Sequence, residues 1–142
     1  MQRRAQIAAA YNEAFSDLPL KPPHVACRED IHAWHLYVIQ LELEKINMTR
    51  DEFIEKMTEK GIGTSVHFIP LHMHPYWRDQ YGFKPQDFPV ALDCYQRSVS
   101  LPIYSKISDG DVDRVINAVR EILTFEHVEF NHGILPLHKA CT

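Results

Sequence analysis

Histidine offers the most chemistry in this chain: nine of the 142 residues are His, and the densest group is His67, His72 and His74. Near neutral pH an imidazole ligates a metal, shuttles a proton or hydrogen-bonds in either sense. His72 and His74 would share one face of an extended backbone. A zinc centre, however, asks for histidines at helix spacing or for thiolate and carboxylate ligands, and the nearest carboxylate, Asp79, stands at no recurring offset. No metal is therefore expected. His32 and His35 fall on opposite faces of a predicted strand and are assigned to hydrogen bonds within the fold.

Nucleophiles are scarcer. Cys27, Cys94 and Cys141 are far apart, without a C-x-x-C pair, and read as free thiols in a reducing compartment. Cys94 lies within the apolar face of a predicted helix and is expected to be a small buried hydrophobe. There is no G-x-S-x-G elbow, and both phosphate-cradling glycine motifs are absent: Gly61-Ile62-Gly63 follows a helix instead of preceding one. The residues alone thus describe a pocket-lining loop, Pro70 to Trp77, with two prolines and clustered aromatic and imidazole groups fitted to orient a polar or phosphorylated ligand.

The elements that would position this loop follow from composition and period. With 15 Lys+Arg against 19 Asp+Glu, a net charge of -4 and 45% hydrophobic residues, the chain reads as one globular domain or part of one. The acidic balance and the lack of basic runs exclude a nucleic-acid partner. Apolar stretches fall far short of the ~20 residues that span a bilayer, so no membrane is expected. The N-terminal residues lack the apolar core of a signal peptide, which places the protein in the cytoplasm.

From Arg3 to Leu18 the residues Ile7, Tyr11, Ala14, Phe15 and Leu18 paint one helical stripe that must stop before Pro19. Ile31 to Leu43 is β-branched and aromatic and predicts a long strand, central around Trp34 to Ile39. Thr49-Arg50-Asp51-Glu52 is a capping box that opens a helix with Phe53, Ile54 and Met57 inward, ended by Gly61. Thr64 to Ile69 predicts a short strand, Asp87 to Ser98 a helix, and Ser100 to Tyr104 a brief extended piece. After Ser108, the spacing of Val112, Val115, Ile116, Val119, Ile122 and Leu123 predicts the clearest helix. Beyond Leu123 the period is lost, and Thr124 to Thr142 reads as a loosely attached tail. The fold class is α+β, a small sheet covered by helices.

Four collinear blocks carry a resemblance. Arg3 to Tyr11, His32 to Ile39, Gly61 to Tyr76 with its Pro70-Leu71-His72-Met73-His74-Pro75-Tyr76 loop, and Ser100-Leu101-Pro102-Ile103-Tyr104 through Ser108 to Arg120 together resemble the small domain of the DegT/DnrJ/EryC1/StrS sugar aminotransferases. His32 to Leu36, Gly61 to Phe68 and Tyr76 to Tyr81 look closest to the branch making 4-amino-4-deoxy-arabinose for lipid A.

The resemblance implies a fold-type-I enzyme dependent on pyridoxal phosphate. Such an enzyme works as a homodimer and moves an amino group from glutamate to a keto group on a nucleotide-linked sugar for polysaccharide or lipopolysaccharide synthesis. It implies a mostly antiparallel sheet, with residues 1–123 as the C-terminal small domain and 124–142 as a tail of unassigned role. It also implies that His67, Phe68 and His72 contact the nucleotide-sugar substrate, while Tyr76, Trp77 and Tyr81 are expected to pack in the core.

Lys21, Lys45, Lys56, Lys60, Lys84, Lys106 and Lys139 all lie outside the family's Ser-x-x-x-Lys context. The Schiff-base lysine and the coenzyme's other holders would come from a large domain, so no cofactor is expected to be bound by this chain alone, and no transamination. Two readings follow: part of an enzyme that functions beside the missing large domain or a homo-oligomer partner, or a noncatalytic binding or assembly module derived from that domain.

Overall fold

The computed structural model describes residues 2–25, 27 and 30–131, with residues 126–131 by backbone alone. These residues form an α+β arrangement: a three-stranded antiparallel sheet in the order β1-β2-β3, formed by Leu20–Lys21, Tyr37–Leu41 and Ser98–Leu101, with five α-helices around it. Helix α1 spans Gln2–Ala14, α2 Arg50–Glu59, α3 Pro75–Tyr81, α4 Pro89–Arg97 and α5 Asp109–Asn131.

The predicted helical stripe of α1 is the stripe that is buried. Ile7 and Tyr11, then Phe15 and Leu18 in the turn beyond the helix, join the core beside Val115, Val119 and Leu123 of α5. The C-terminal carbonyls of a helix need outside partners. Arg120 of α5 supplies one by donating to the Ala14 carbonyl while gripping both oxygens of Asp17 at 2.7 Å each. The proline-rich step that follows carries β1, which pairs Leu20 with Leu41 of β2.

Strand β2 is the centre of the sheet, as expected, yet shorter than its β-rich sequence predicts. Trp34 interrupts it with a φ of 48°. The left-handed region costs a residue bearing a Cβ roughly 1–2 kcal/mol, and burial of the indole against Tyr37 and beneath His32 offsets it. The backbone of Trp34 donates to Nδ1 of His32 at 2.9 Å, which closes the turn. His32 does hydrogen-bond within the fold, but neither it nor His35 occupies a strand.

Helix α2 keeps both of its predicted ends. Thr49 Oγ1 accepts from the Glu52 amide at 3.2 Å while a Glu52 oxygen accepts from the Thr49 amide at 2.6 Å. At the other end Gly61 adopts a φ of 73°, and Gly61 and Ile62 donate back to the carbonyls of Thr58 and Met57. This left-handed cap is inexpensive because glycine has no Cβ. Helix α5 starts at its Ser108 cap and runs on to Asn131, past the predicted boundary at Leu123. The apolar period fades in that stretch, but with no Gly or Pro among Asp111–Asn131 nothing stops the helix. The rest of the predicted tail lies outside the described residues.

The segment between α2 and β3 departs most from expectation. The predicted strand over 64–69 reduces to a single bridge, Ser65 with Ser100. The predicted loop over 70–77 is a 3-10 turn at Leu71–Met73 followed by α3, which Pro75 starts and Gly82, at a φ of 67°, ends. Helix α4 begins at Pro89, two residues later than predicted, and its stripe is only partly covered, so Cys94 is exposed rather than buried. Tyr76 and Tyr81 are likewise exposed and do not pack in the core.

Candidate functional site

Strand β3 fixes the site from beneath. Its four residues are all buried. Val99 and Leu101 turn toward the core, in register with Ile39 and Tyr37 of β2, which leaves Ser98 and Ser100 on the opposite face. Ser100 exchanges both backbone hydrogen bonds with Ser65, at 2.8 and 3.1 Å. Two residues on, the chain brings His67 back over that face, and its Nδ1 meets Ser100 Oγ at 2.9 Å. The Phe68 ring stands edge-on to the imidazole, centroids 5.2 Å apart, and is itself 80% exposed. His67 and Phe68 therefore form one unit, an imidazole held by the sheet and flanked by a ring in solvent.

His72 belongs to a different cluster. It is only 8% exposed, its Nε2 lies 3.3 Å from the Pro85 carbonyl, and its ring lies 4.5 Å from that of Phe88. From Phe88 a row of aromatic contacts continues through Phe83, Tyr81 and Trp77 to Tyr76, at centroid spacings of 5.4 to 5.6 Å. The rings stabilise one another while leaving α3 open to solvent on its outer side. His74 directs Nε2 to the Ile69 carbonyl at 3.1 Å. With the three histidines turned to three separate partners, no group of His, Cys, Asp or Glu among the described residues is arranged to hold a metal.

The described lysines do not fit a coenzyme aldehyde, which condenses with an uncharged amine in a desolvated pocket. Lys45 pairs with Glu42 and Lys60 with Glu121, each at 2.7 Å, and the Glu42 carboxylate pushes the Lys45 ammonium above its ordinary value. Lys21, Lys84 and Lys106 are exposed, and Lys56 lines an open groove beside Glu59, Lys60 and Glu121. A second open groove, about 330 Å³, lies between Gly61-Gly63 and the start of α5, and its cation Arg114 is already paired with Asp111 at 3.2 Å. No helix among the described residues is long and apolar enough to cross a membrane.

Ser100 is the residue that reading the sequence did not single out. Within Ser98-Val99-Ser100-Leu101 it looks like strand filler, and its partner lies 33 residues away. A polar residue alternating with apolar ones in a strand buried on both faces was the available signal.

The model of the DegT/DnrJ/EryC1/StrS aminotransferase family matches residues 1–120. The chain belongs to this family. It is 49% identical over 124 residues to the spore coat polysaccharide biosynthesis protein SpsC of Bacillus subtilis, covering 86% of this chain and 32% of SpsC. Among solved structures it is similar to DesV of S. venezuelae, in complex with a ketimine intermediate, at 29% identity and a TM-score of 0.74, over 86% of this chain and 31% of DesV. The fold is also that of PseC of Helicobacter pylori, an aminotransferase involved in pseudoaminic acid biosynthesis, with a TM-score of 0.77 at 23% identity, over 87% of this chain and 33% of PseC. The chain thus spans about a third of the length of these similar proteins.

Proposed function

We propose that this chain is the C-terminal small-domain portion of a pyridoxal-phosphate-dependent sugar aminotransferase. The assembled enzyme moves an amino group from glutamate to a keto group on a nucleotide-linked sugar destined for a cell-surface polysaccharide, in the cytoplasm and as a homodimer. Residues 1–123 make the domain, and its last helix, α5, continues to Asn131. The observation that carries this reading is the unbroken family match over residues 1–120, joined to 49% identity with a polysaccharide biosynthesis protein. An aminoarabinose precursor is one member of the substrate class.

Within this reading the chain binds and orients and does not break bonds. His67 offers a hydrogen bond and Phe68 an apolar wall to the sugar, while buried His72 holds the 70–88 segment in shape by its contacts with Pro85 and Phe88. The coenzyme supplies the electron sink for amino transfer when the large domain holds it. The exposed side chains of Phe68, Leu71, Tyr76 and Tyr81 have the character of a surface that a further domain covers, since apolar groups this dense are costly to leave in water. By itself the chain does not transaminate, because its described lysines are ion-paired, exposed or, for Lys56, set in an open groove.

The test is to incubate the chain with pyridoxal phosphate, reduce with borohydride, digest, and assay in parallel for amination of a keto-sugar nucleotide by glutamate. The expected result is no specific pyridoxyl-lysine peptide and no turnover. A single labelled lysine together with turnover overturns the claim that the amine chemistry belongs to another domain.

A further inference from the structure

We infer that Ser100 is a positioning residue that locks His67 in the tautomer with its proton on Nε2, so that the imidazole presents a hydrogen-bond donor to an acceptor oxygen of the sugar. The inference deepens the substrate-facing reading and rests on it for the identity of the ligand, though not for the tautomer.

The reasoning is an account of hydrogens. Ser100 is 5% exposed, and its backbone N–H and C=O are both taken by Ser65. Among the described residues, its hydroxyl has one hydrogen-bond partner, Nδ1 of His67 at 2.9 Å. A hydroxyl carries one hydrogen, and a neutral imidazole carries one proton on one of two nitrogens. If that proton sat on Nδ1, the serine oxygen would accept it, and the serine's own hydrogen would be buried without an acceptor. A buried donor left without an acceptor is disfavoured, because it gives up its bonds to water for nothing. If Nδ1 is bare, the serine donates to it and nothing is orphaned. The second arrangement prevails, and the ring proton stands on Nε2.

The consequence lies on the outward side of the ring. Nε2 diverges from Nδ1 across the imidazole and so faces away from Ser100. It makes no hydrogen bond among the described residues, and His67 is only half-buried. The Phe68 ring, at 87° to the imidazole, restricts its rotation from the side. The donor is therefore aimed before a ligand arrives, and less entropy is lost when an oxygen accepts from it. A carbonyl, hydroxyl or ether oxygen of the sugar has the required lone pair, whereas an ammonium does not.

The test uses the whole 142-residue chain, uniformly labelled with nitrogen-15, at a pH where His67 is neutral. Long-range proton–nitrogen correlation spectra report which ring nitrogen carries the proton. The expected result is two well-separated His67 nitrogen resonances, with Nδ1 at the position of an unprotonated nitrogen. In Ser100→Ala the two resonances should move toward each other as the tautomers mix, and in Ser100→Thr they should return. A protonated Nδ1 in the unsubstituted chain, or resonances unmoved by Ser100→Ala in a still-dispersed spectrum, overturns the assignment of Ser100.

Titration with UDP-glucose should shift the Nε2 resonance, and UDP alone should not. An equal shift with UDP places the contact on the nucleotide and overturns the sugar contact. No shift with either, while the tautomer holds, overturns the substrate-facing use of His67 and leaves the hold of Ser100 standing. Failure of the broader aminotransferase reading shows separately, in the borohydride and turnover assay.

Discussion

Tyr11 and Tyr37 are fully buried in the core, ring to ring at 5.0 Å, whereas Tyr76 and Tyr81 on α3 stand in solvent. The residue type is the same, and what differs is whether the fold itself supplies a cover. In the core each phenol has a partner: Tyr11 donates to the Pro102 carbonyl at 2.9 Å and Tyr37 to Asn12 Oδ1 at 2.6 Å. On the 64–90 segment the rings lean on one another in a row, and their outer faces have no protein against them among the described residues. One region is covered by its own chain, and the other stands open among the described residues.

That contrast breaks if mutations in the two regions cost the same. Phe53 is fully buried, and truncation of such a ring to alanine costs about 3–5 kcal/mol. Phe53→Ala should therefore take the largest share of stability, read as a drop in the urea midpoint of the chain. Phe68→Ala, at a ring mostly in water, should stay within about 0.5 kcal/mol of the unsubstituted chain in the same measurement. A large loss at Phe68 would mean that the open segment is structural after all.

The tyrosines sharpen the same comparison through pH. Burial, with the neighbouring phenol Tyr104 for Tyr11 and Tyr11 for Tyr37, pushes both phenols well above the usual tyrosine range. A folded-state value raised above the unfolded one gives stability that is present below about pH 10 and lost as pH rises beyond it. Absorbance titration should show Tyr11 and Tyr37 ionising only with cooperative alkaline unfolding. Ionisation of these two near the ordinary tyrosine value with the fold intact would contradict the packed core.

Much of the finished region was legible in the residues alone. The stripes of α1, α2 and α5, the box at Thr49 and the turn at Gly61 each follow from a local pattern that tertiary contacts only reinforced. Trp34 did not announce its left-handed turn, because no glycine or asparagine marks it and the cause is a contact with His32. In the open segment, His74-Pro75 and Gly82 did mark the start and end of α3. Their meaning was masked by the concentration of aromatic residues, which reads as loop or core by type and turned out to be an exposed row. The Ser100–His67 pair was invisible for another reason: it joins two elements through one side-chain bond across 33 residues.

The smallest effect concerns the cap of α2. The Glu52 carboxyl is held below its ordinary value by the Thr49 backbone and side chain. A depressed carboxyl value gives stability present at neutral pH and lost as pH falls through about 4. Thr49→Ala should cost about 1 kcal/mol at pH 7 and less at pH 3, measured by urea unfolding at both. An equal cost at the two pH values would remove the carboxylate from the cap.

The central claim, that residues 1–120 form the substrate-orienting part of a family aminotransferase, is tested most directly by graft. These residues replace the matching third of a family aminotransferase of measured turnover, and the graft is compared with its His67→Ala form. We predict a coenzyme-loaded protein that aminates the parent's keto-sugar nucleotide and loses kcat/KM at least about tenfold in the variant, the equivalent of ~1.4 kcal/mol. A folded, coenzyme-loaded graft with identical kcat/KM in both forms would contradict it.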